Sequence, residues 1–320
     1  MSSQPSERVI RAQMSAVPGR HGGGTCQATT DEVSVTRTRV LENGIGLVES
    51  LRVAGPRTLP PRAESFSPVF QICLPYHGAF VWHVGHDDVV ADPNRVLFVA
   101  GGEGFRLSQP GDGGYAELIV TVRPDLLAEL LGVPEPHVAR HALFRRRSRS
   151  AEPVLQRLGM SCLHRHSRHD SPEGEEWLLD FLRAAVMASP PPLEVSPSTR
   201  RLIGRAKTYL AANLEAPVQL AHVARAVGVS PAYLTTVFRR AEGRPLHQYL
   251  VQLRLARALV ELPHTTDLTE LACALGFANH SHFTAVFRRA FGCTPSRFRE
   301  STRRDRSAVV ETAGSTAMRW

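Results

Sequence analysis

Two short segments of this chain carry side chains of the same unusual mixture at the same spacing. Ala232, Thr235, Thr236, Arg239 and Arg240 recur in one, and His280, Ser281, His282, Thr284, Ala285, Arg288 and Arg289 in the other. On a helix these positions fall on one side, leaving Leu234, Val237, Phe238 and Ala241, or Phe283, Val286, Phe287 and Ala290, on the opposite stripe. The presented face is therefore small, hydroxylic and basic. Small side chains permit close approach to a groove, hydroxyls and imidazoles bond base edges, and guanidinium groups bond guanine or phosphate.

The elements that must hold these faces are legible around them. Leu220 to Gly243 and Leu268 to Gly292 read alike, about 48–50 residues apart, which implies two similar supersecondary units in one polypeptide. Each has a short apolar-periodic helix, a turn glycine (Gly228 or Gly276) that accepts left-handed backbone, and a second helix opened by a capping residue, Ser230 or Asn279. Pro231 suits the first helical position. A longer helix around Pro245 to Leu262 joins the units.

This ordered set resembles the C-terminal domain of the AraC/XylS family of bacterial transcription regulators. The resemblance rests on Leu220 to Gly243, on Gln252-Leu-Arg-Leu-Ala-Arg-Ala, and on Gly276-Phe277, Ser281-His-Phe, Phe287-Arg-Arg, Phe291-Gly and Thr294-Pro-Ser-Arg-Phe298. It covers roughly residues 198–300 and implies two helix-turn-helix units that enter successive major grooves about 34 Å apart. By position it assigns base reading to Ala232, Thr235, Thr236, His280, Ser281 and Ala285. Backbone contact falls to Arg239, Arg240, His282, Thr284, Arg288 and Arg289. Ala232 and Ala285 depart from family members with long polar side chains there and offer only methyl contact, so more of the readout rests on phosphates and DNA shape.

Charge agrees with that reading. Between residues 195 and 300 there are 14 Lys plus Arg against 6 Asp plus Glu, a net +8 equal to the formal charge of all 320 residues. The basic excess is thus local, as an electrostatic footprint for a polyanion should be. Lysine occurs once, at Lys207, so arginine must make the phosphate contacts. A membrane surface is the competing partner for positive charge, but no apolar run approaches the ~18 residues of a spanning helix.

The region from about Val33 to Val122 reads as β structure. Val69 to Leu74, Ala79 to Val84, Arg95 to Ala100 and Tyr115 to Val122 are β-branched or aromatic runs, punctuated by Asp92-Pro-Asn94, Gly101-Gly102 and Pro110-Gly-Asp-Gly-Gly114. Such rhythm predicts a sandwich or small barrel, and the family resemblance implies a cupin-like barrel. Helices are expected over 125–131, 152–164 and 173–187. The last two form a pair that serves either as a dimer interface, as the family implies, or as a cover for its own barrel. The expected fold is multidomain, α and β. It has a disordered segment 1–32, a cupin-like regulatory and dimerisation domain 33–188, a Pro-rich linker 189–197, an all-α domain 198–300 and a disordered tail 301–320.

Other chemistries find less support in the residues. His77, His83 and His86 lie in or beside one strand but lack the His-x-His and following Glu of a metal cupin, so a metal-dependent cupin enzyme is the weaker reading. His83, beside Ala79 and Val81, is the candidate for contact with a small effector inside the barrel. Cys162, His164, His166, His169 and Asp170 are dense in zinc-type ligands but fall at a helix end. Five scattered cysteines suit a reducing compartment and no disulfide framework. The N-terminus has no signal-peptide core, so a cytoplasmic location is expected. The expected partners are double-stranded DNA, a small-molecule effector, a second copy of the chain and RNA polymerase. No catalytic residue, metal or cofactor is assigned. A ligand-independent architectural DNA-binding protein is the remaining alternative.

Overall fold

The structure is a computed structural model that describes residues 33–56, 64–111, 113–164, 172–187 and 195–303. The expected N-terminal disorder, most of the Pro-rich linker, and His166, His169 and Asp170 of the zinc-type segment lie outside the described residues.

Two antiparallel sheets fill the N-terminal region. The six-stranded sheet runs β1 (Ser34–Glu42), β2 (Gly46–Ala54), β9 (Tyr115–Val122), β4 (Gln71–Gly78), β7 (Arg95–Val99) and β10 (Ser148–Ser150). The four-stranded sheet runs β3 (Ser65–Phe66), β8 (Gly104–Ser108), β5 (Phe80–Val84) and β6 (Asp87–Ala91). No strand pairing joins one sheet to the other among the described residues, so of the sandwich and small barrel expected there the described strands form two facing sheets and no closed barrel. Phe80, Trp82 and Val84 of β5 point between the sheets and meet Cys73, Leu97, Val99, Tyr115 and Ile119 from the larger one.

The larger sheet's other face is covered by helices α1 (Pro124–Leu131), α3 (Pro153–His164) and α4 (Pro172–Val186); the short α2 (Ala142–Arg146) places Phe144 in the same core. The apolar stripes of α3 and α4, with Leu155, Met160, Trp177, Leu178, Phe181 and Leu182 buried, pack with Ile72, Leu74, Leu118 and Val120. Gly159 permits this approach, because a Cβ there would stand 2.6 Å from a methyl of Leu74. This helix pair covers its own sheet, one of the two uses expected for it.

The C-terminal region is helical: α5 (Pro197–Ala212), α6 (Leu220–Val227), α7 (Pro231–Glu242), α8 (Leu246–Glu261), α9 (Leu268–Ala274) and α10 (His280–Phe291), followed by a helical stretch 295–303. Helix α5 begins inside the expected linker, with the Ser196 hydroxyl accepting from the Thr199 amide at 3.2 Å. The final stretch continues three residues past the expected start of the tail.

Two apolar clusters divide these helices. Ile203, Leu210, Val223, Leu234, Phe238, Tyr249 and Leu253 form a core drawn from residues 195–253 alone. Phe283, Phe287, Phe291, Leu259 and Leu262 instead belong to the same cluster as α3, α4 and the larger sheet. The second helical unit thus shares a continuous core with the N-terminal region, whereas the first does not.

Candidate nucleic-acid interface

Each candidate reading helix is fixed at both ends by local chemistry. At the start of α7 the Ser230 hydroxyl accepts from the Tyr233 amide at 3.2 Å, with Pro231 in the first turn. The Asn279 side chain likewise accepts from the His282 amide at 2.8 Å at the start of α10. These bonds satisfy amides that a helix leaves unpaired at its start. The turns before them use Gly228 at φ 77° and Gly276 at φ 75°, left-handed backbone that favours glycine. Gly276 is constrained twice, since a Cβ there would stand 2.6 Å from the Arg254 guanidinium. That guanidinium donates to the carbonyls of Leu214, Ala216 and Gly276, tying the middle of α8 to the loop after α5 and the turn before α10. Asp267 caps α9 by accepting from the Thr269 and Glu270 amides, which hold its carboxyl below the usual range.

The buried stripes follow the sequence pattern. Leu234, Phe238 and Ala241 are buried in α7, and Phe283 and Phe287 in α10, where Phe287 meets the edges of Phe283, Phe291 and Phe298. Val237, Val286 and Ala290 are half-buried at the rim of each stripe.

Opposite these stripes, Ala232, Thr235, Thr236, Arg239 and Arg240 are all exposed on α7. The hydroxyls of Thr235 and Thr236 donate back to the carbonyls of Pro231 and Ala232 at 2.9 and 3.1 Å. Their lone pairs remain outward as acceptors. On α10, Ser281, His282, Ala285, Arg288 and Arg289 are exposed. No ion pair engages Arg239, Arg240, Arg288 or Arg289 among the described residues. The cationic ends of both helices are therefore available to an external anion.

Two α10 residues sit differently from the expectation. His280 and Thr284 are half-buried and bond each other, Nε2 to Oγ1 at 3.3 Å, because positions four apart share one helix face beside the buried stripe. In this arrangement the imidazole of His280 is directed along its own helix, so the outermost groups of α10 are Ser281, His282 and Ala285. His282 is steadied by the edge of Phe277, with ring centroids 5.8 Å apart. Tyr233, half-exposed in the first turn of α7, was missed by sequence reasoning, which favoured small and charged types.

His83, expected to face the interior beside Ala79 and Val81, is placed otherwise. In β5 the buried positions are 80, 82 and 84, so His83 points to the other face of the small sheet. There Nδ1 meets Asp88 at 2.6 Å and Nε2 meets Ser108 at 2.8 Å. His77 lies on a different strand, β4, and its imidazole contacts the Arg257 guanidinium of α8. Cys162 and His164 are buried, and the His164 ring meets the Leu259 carbonyl at 3.0 Å. Among the described residues no cluster of three or more metal-type ligands forms. No described helix is long and apolar enough to cross a membrane.

The seam between the two regions holds a cavity of about 380 Å³, lined by Tyr76, His77 and Pro93 from the sheet side and by Leu214, Leu253 and Arg257 from the helical side. Between the two sheets lies a second polar feature, Glu117. Its carboxyl is buried with one oxygen unpartnered, and desolvation, partly offset by Arg37, pushes it up to about 8.

Each of the two capped helices follows a shorter helix and a left-handed glycine turn, the geometry of a helix-turn-helix unit. Residues 223–301 match the family described as helix-turn-helix domain. The segment is 33% identical over 103 residues to the HTH-type transcriptional activator RhaR of Escherichia coli K12, covering 32% of this chain and 36% of that protein. It is 26% identical over 109 residues to the Msm operon regulatory protein of Streptococcus mutans, covering 33% and 39%. The matched segment therefore spans little more than a third of those relatives' length. Among solved structures, a transcriptional regulator with an AraC-type DNA-binding domain from Chromobacterium violaceum is 29% identical, covering 33% of this chain and 96% of that one, with a TM-score of 0.32. ToxT from Vibrio cholerae is 13% identical over 80% of this chain and 95% of its own, with a TM-score of 0.31. Through this C-terminal segment the chain is similar to AraC-type and other helix-turn-helix transcription regulators.

Proposed function

We propose that this protein is a sequence-specific, double-stranded-DNA-binding transcription regulator whose N-terminal sheet region governs the helical one. The observation that carries the reading is the pair of outward faces on α7 and α10, each small, hydroxylic and basic, each backed by a buried apolar stripe and fixed by a side-chain cap. Ala232, Thr235, Thr236, Ser281 and Ala285 approach base edges, with His280 reached only if its bond to Thr284 opens. Arg239, Arg240, Arg288, Arg289 and His282 engage phosphates, with Thr284 contributing at the edge of that face.

The division of labour follows the chain. Residues 33–188 form a cupin-like regulatory part built on two facing antiparallel sheets, and residues 198–300 form the DNA-binding part. A small effector fits the seam cavity better than His83, whose two ring nitrogens are already engaged. Homodimerisation, contact with RNA polymerase and a cytoplasmic setting complete the proposal and come from the family resemblance.

A gel shift against the DNA upstream of the protein's own coding region, with and without candidate metabolites, tests the reading. Sequence-specific retardation is the expected result, and modulation by a metabolite supports sensing. Catalytic turnover in the absence of any DNA binding would overturn it.

A further inference from the structure

The two reading helices are attached to the sheet region by different means. Helix α10 is attached through apolar packing, since Phe283, Phe287 and Phe291 share one cluster with Leu155, Cys162 and Leu118. The apolar core beneath α7 contains no side chain from the sheets. What joins α7 to the sheets is polar and nearly dry.

Asp92, in the turn between β6 and β7, is fully buried and accepts from the Tyr249 hydroxyl of α8 at 2.7 and 2.9 Å. Asn94 of the same turn donates to the Tyr249 carbonyl at 2.9 Å. Lys207 of α5 stands 3.9 Å from Asp92 and 3.5 Å from Glu242, and donates to the Val90 carbonyl at 3.4 Å. Glu242, the last residue of α7, also pairs with Arg95 of β7 at 3.4 Å. The four charged side chains are between 0% and 11% exposed. Two cations face two anions, so the set is neutral and can stay ionised away from water. The only lysine of the chain is committed here, far from any phosphate role.

Helix α7 is therefore gripped at its C-terminal end, through Glu242, while Ala232, Thr235 and Thr236 nearer its start stay exposed. We propose that Asp92, Arg95, Lys207, Glu242 and Tyr249 form a polar latch that positions α7 relative to α10, and that this latch can open while the apolar attachment of α10 persists. All five are positioning residues. The inference rests on α7 being a reading helix only for its consequence on DNA; the latch itself is independent of that reading. Physical reasons favour separate opening. A buried ion pair loses much of its advantage once one partner is lost or water enters, whereas an apolar cluster tolerates hinge motion until its area is exposed. The turn that carries Asp92 and Asn94 also supplies Pro93 to the wall of the seam cavity, so a molecule entering the cavity bears directly on the latch.

The test is amide hydrogen exchange on the full chain, comparing the parent with Lys207→Met. We expect exchange across residues 231–242 and 87–95 to rise by about tenfold or more, with residues 280–291 unchanged. The double variant Lys207→Met/Glu242→Gln, which removes one charge of each sign, should recover part of that protection. If Lys207→Met does not fold, Asp92→Asn drops a charge while keeping an acceptor for Tyr249, and it should show the same local pattern. Equal acceleration in 231–242 and 280–291, or no change in 231–242, would overturn the latch. On DNA, the variant should lose protection at the α7 half-contact first, and a one-base-pair insertion between half-contacts should cost it less affinity than it costs the parent. A parent that binds no DNA would refute the regulator reading alone, since exchange decides the latch by itself.

Discussion

Replacing Arg288 with alanine probes the proposed backbone contacts most simply. Arg288 is exposed in the last turn of α10, has no ion-pair partner among the described residues, and lies outside the buried stripe of Phe283 and Phe287. Its removal should leave the fold intact. If each of Arg239, Arg240, Arg288 and Arg289 neutralises one phosphate, their joint contribution to the slope of log affinity against log salt is about −3.6, at ~0.9 per contact. Between 50 and 200 mM salt that amounts to roughly 150-fold, and removing one contact reduces it to about 40-fold. Fluorescence anisotropy with a labelled duplex, titrated at four salt concentrations on a specific and a scrambled sequence, reads both numbers. The expected outcome is a slope shallower by about 0.9 and weaker binding on both duplexes. Arg183→Ala is the control, because Arg183 sits on α4 beside Asp180 and should leave the slope unchanged. An unchanged slope for Arg288→Ala, or a loss confined to one base position, would refute the phosphate role.

Two further predictions concern groove reading and the sheet interior. Thr236→Leu removes a hydroxyl and adds apolar bulk on the exposed face of α7, so a selected-site binding profile should shift at the bases nearest that helix; an unaltered profile excludes Thr236 from the groove. Glu117, whose carboxyl is lifted from the ordinary 4.5 to about 8 by burial, contributes stability that is fully present below 4.5 and fades as pH rises through 8. The slope is at most about 1.4 kcal/mol per pH unit in that window. Denaturant unfolding at pH 5, 7 and 9 should therefore show Glu117→Gln gaining on the parent as pH rises, by on the order of 2 kcal/mol or more. Parallel pH curves for parent and variant would contradict this.

The helical region was legible because its signals are local. The stripe Leu234, Phe238 and Ala241 and the caps Ser230 and Asn279 depend on neighbours within four residues, and each takes its expected place. Strand phase is less local. The sequence groups His83 with Ala79 and Val81, yet the register of β5 against β6 and β8 turns Phe80, Trp82 and Val84 inward and His83 outward. A slip of one residue in phase reverses every side chain of a strand. The latch was least legible of all. Its bonds between the sheet region and the helices join residues 115 to 157 apart in sequence. In the sequence the Asp92-Pro-Asn turn therefore reads only as punctuation between strands, and Lys207 only as the single lysine of an arginine-rich chain. The choice between a sandwich and a small barrel is non-local too: alternation of residue types reports which strands exist, not whether the edges of two sheets meet.

Hydroxyl-radical footprinting of the full protein on its preferred DNA site tests the central claim most directly. Two unequal protected windows are predicted on one face of the duplex, centred about one helical turn apart, one weakened by Thr236→Leu and the other by Ala285→Leu. A single protected window, or two windows that respond identically to both substitutions, would contradict the account.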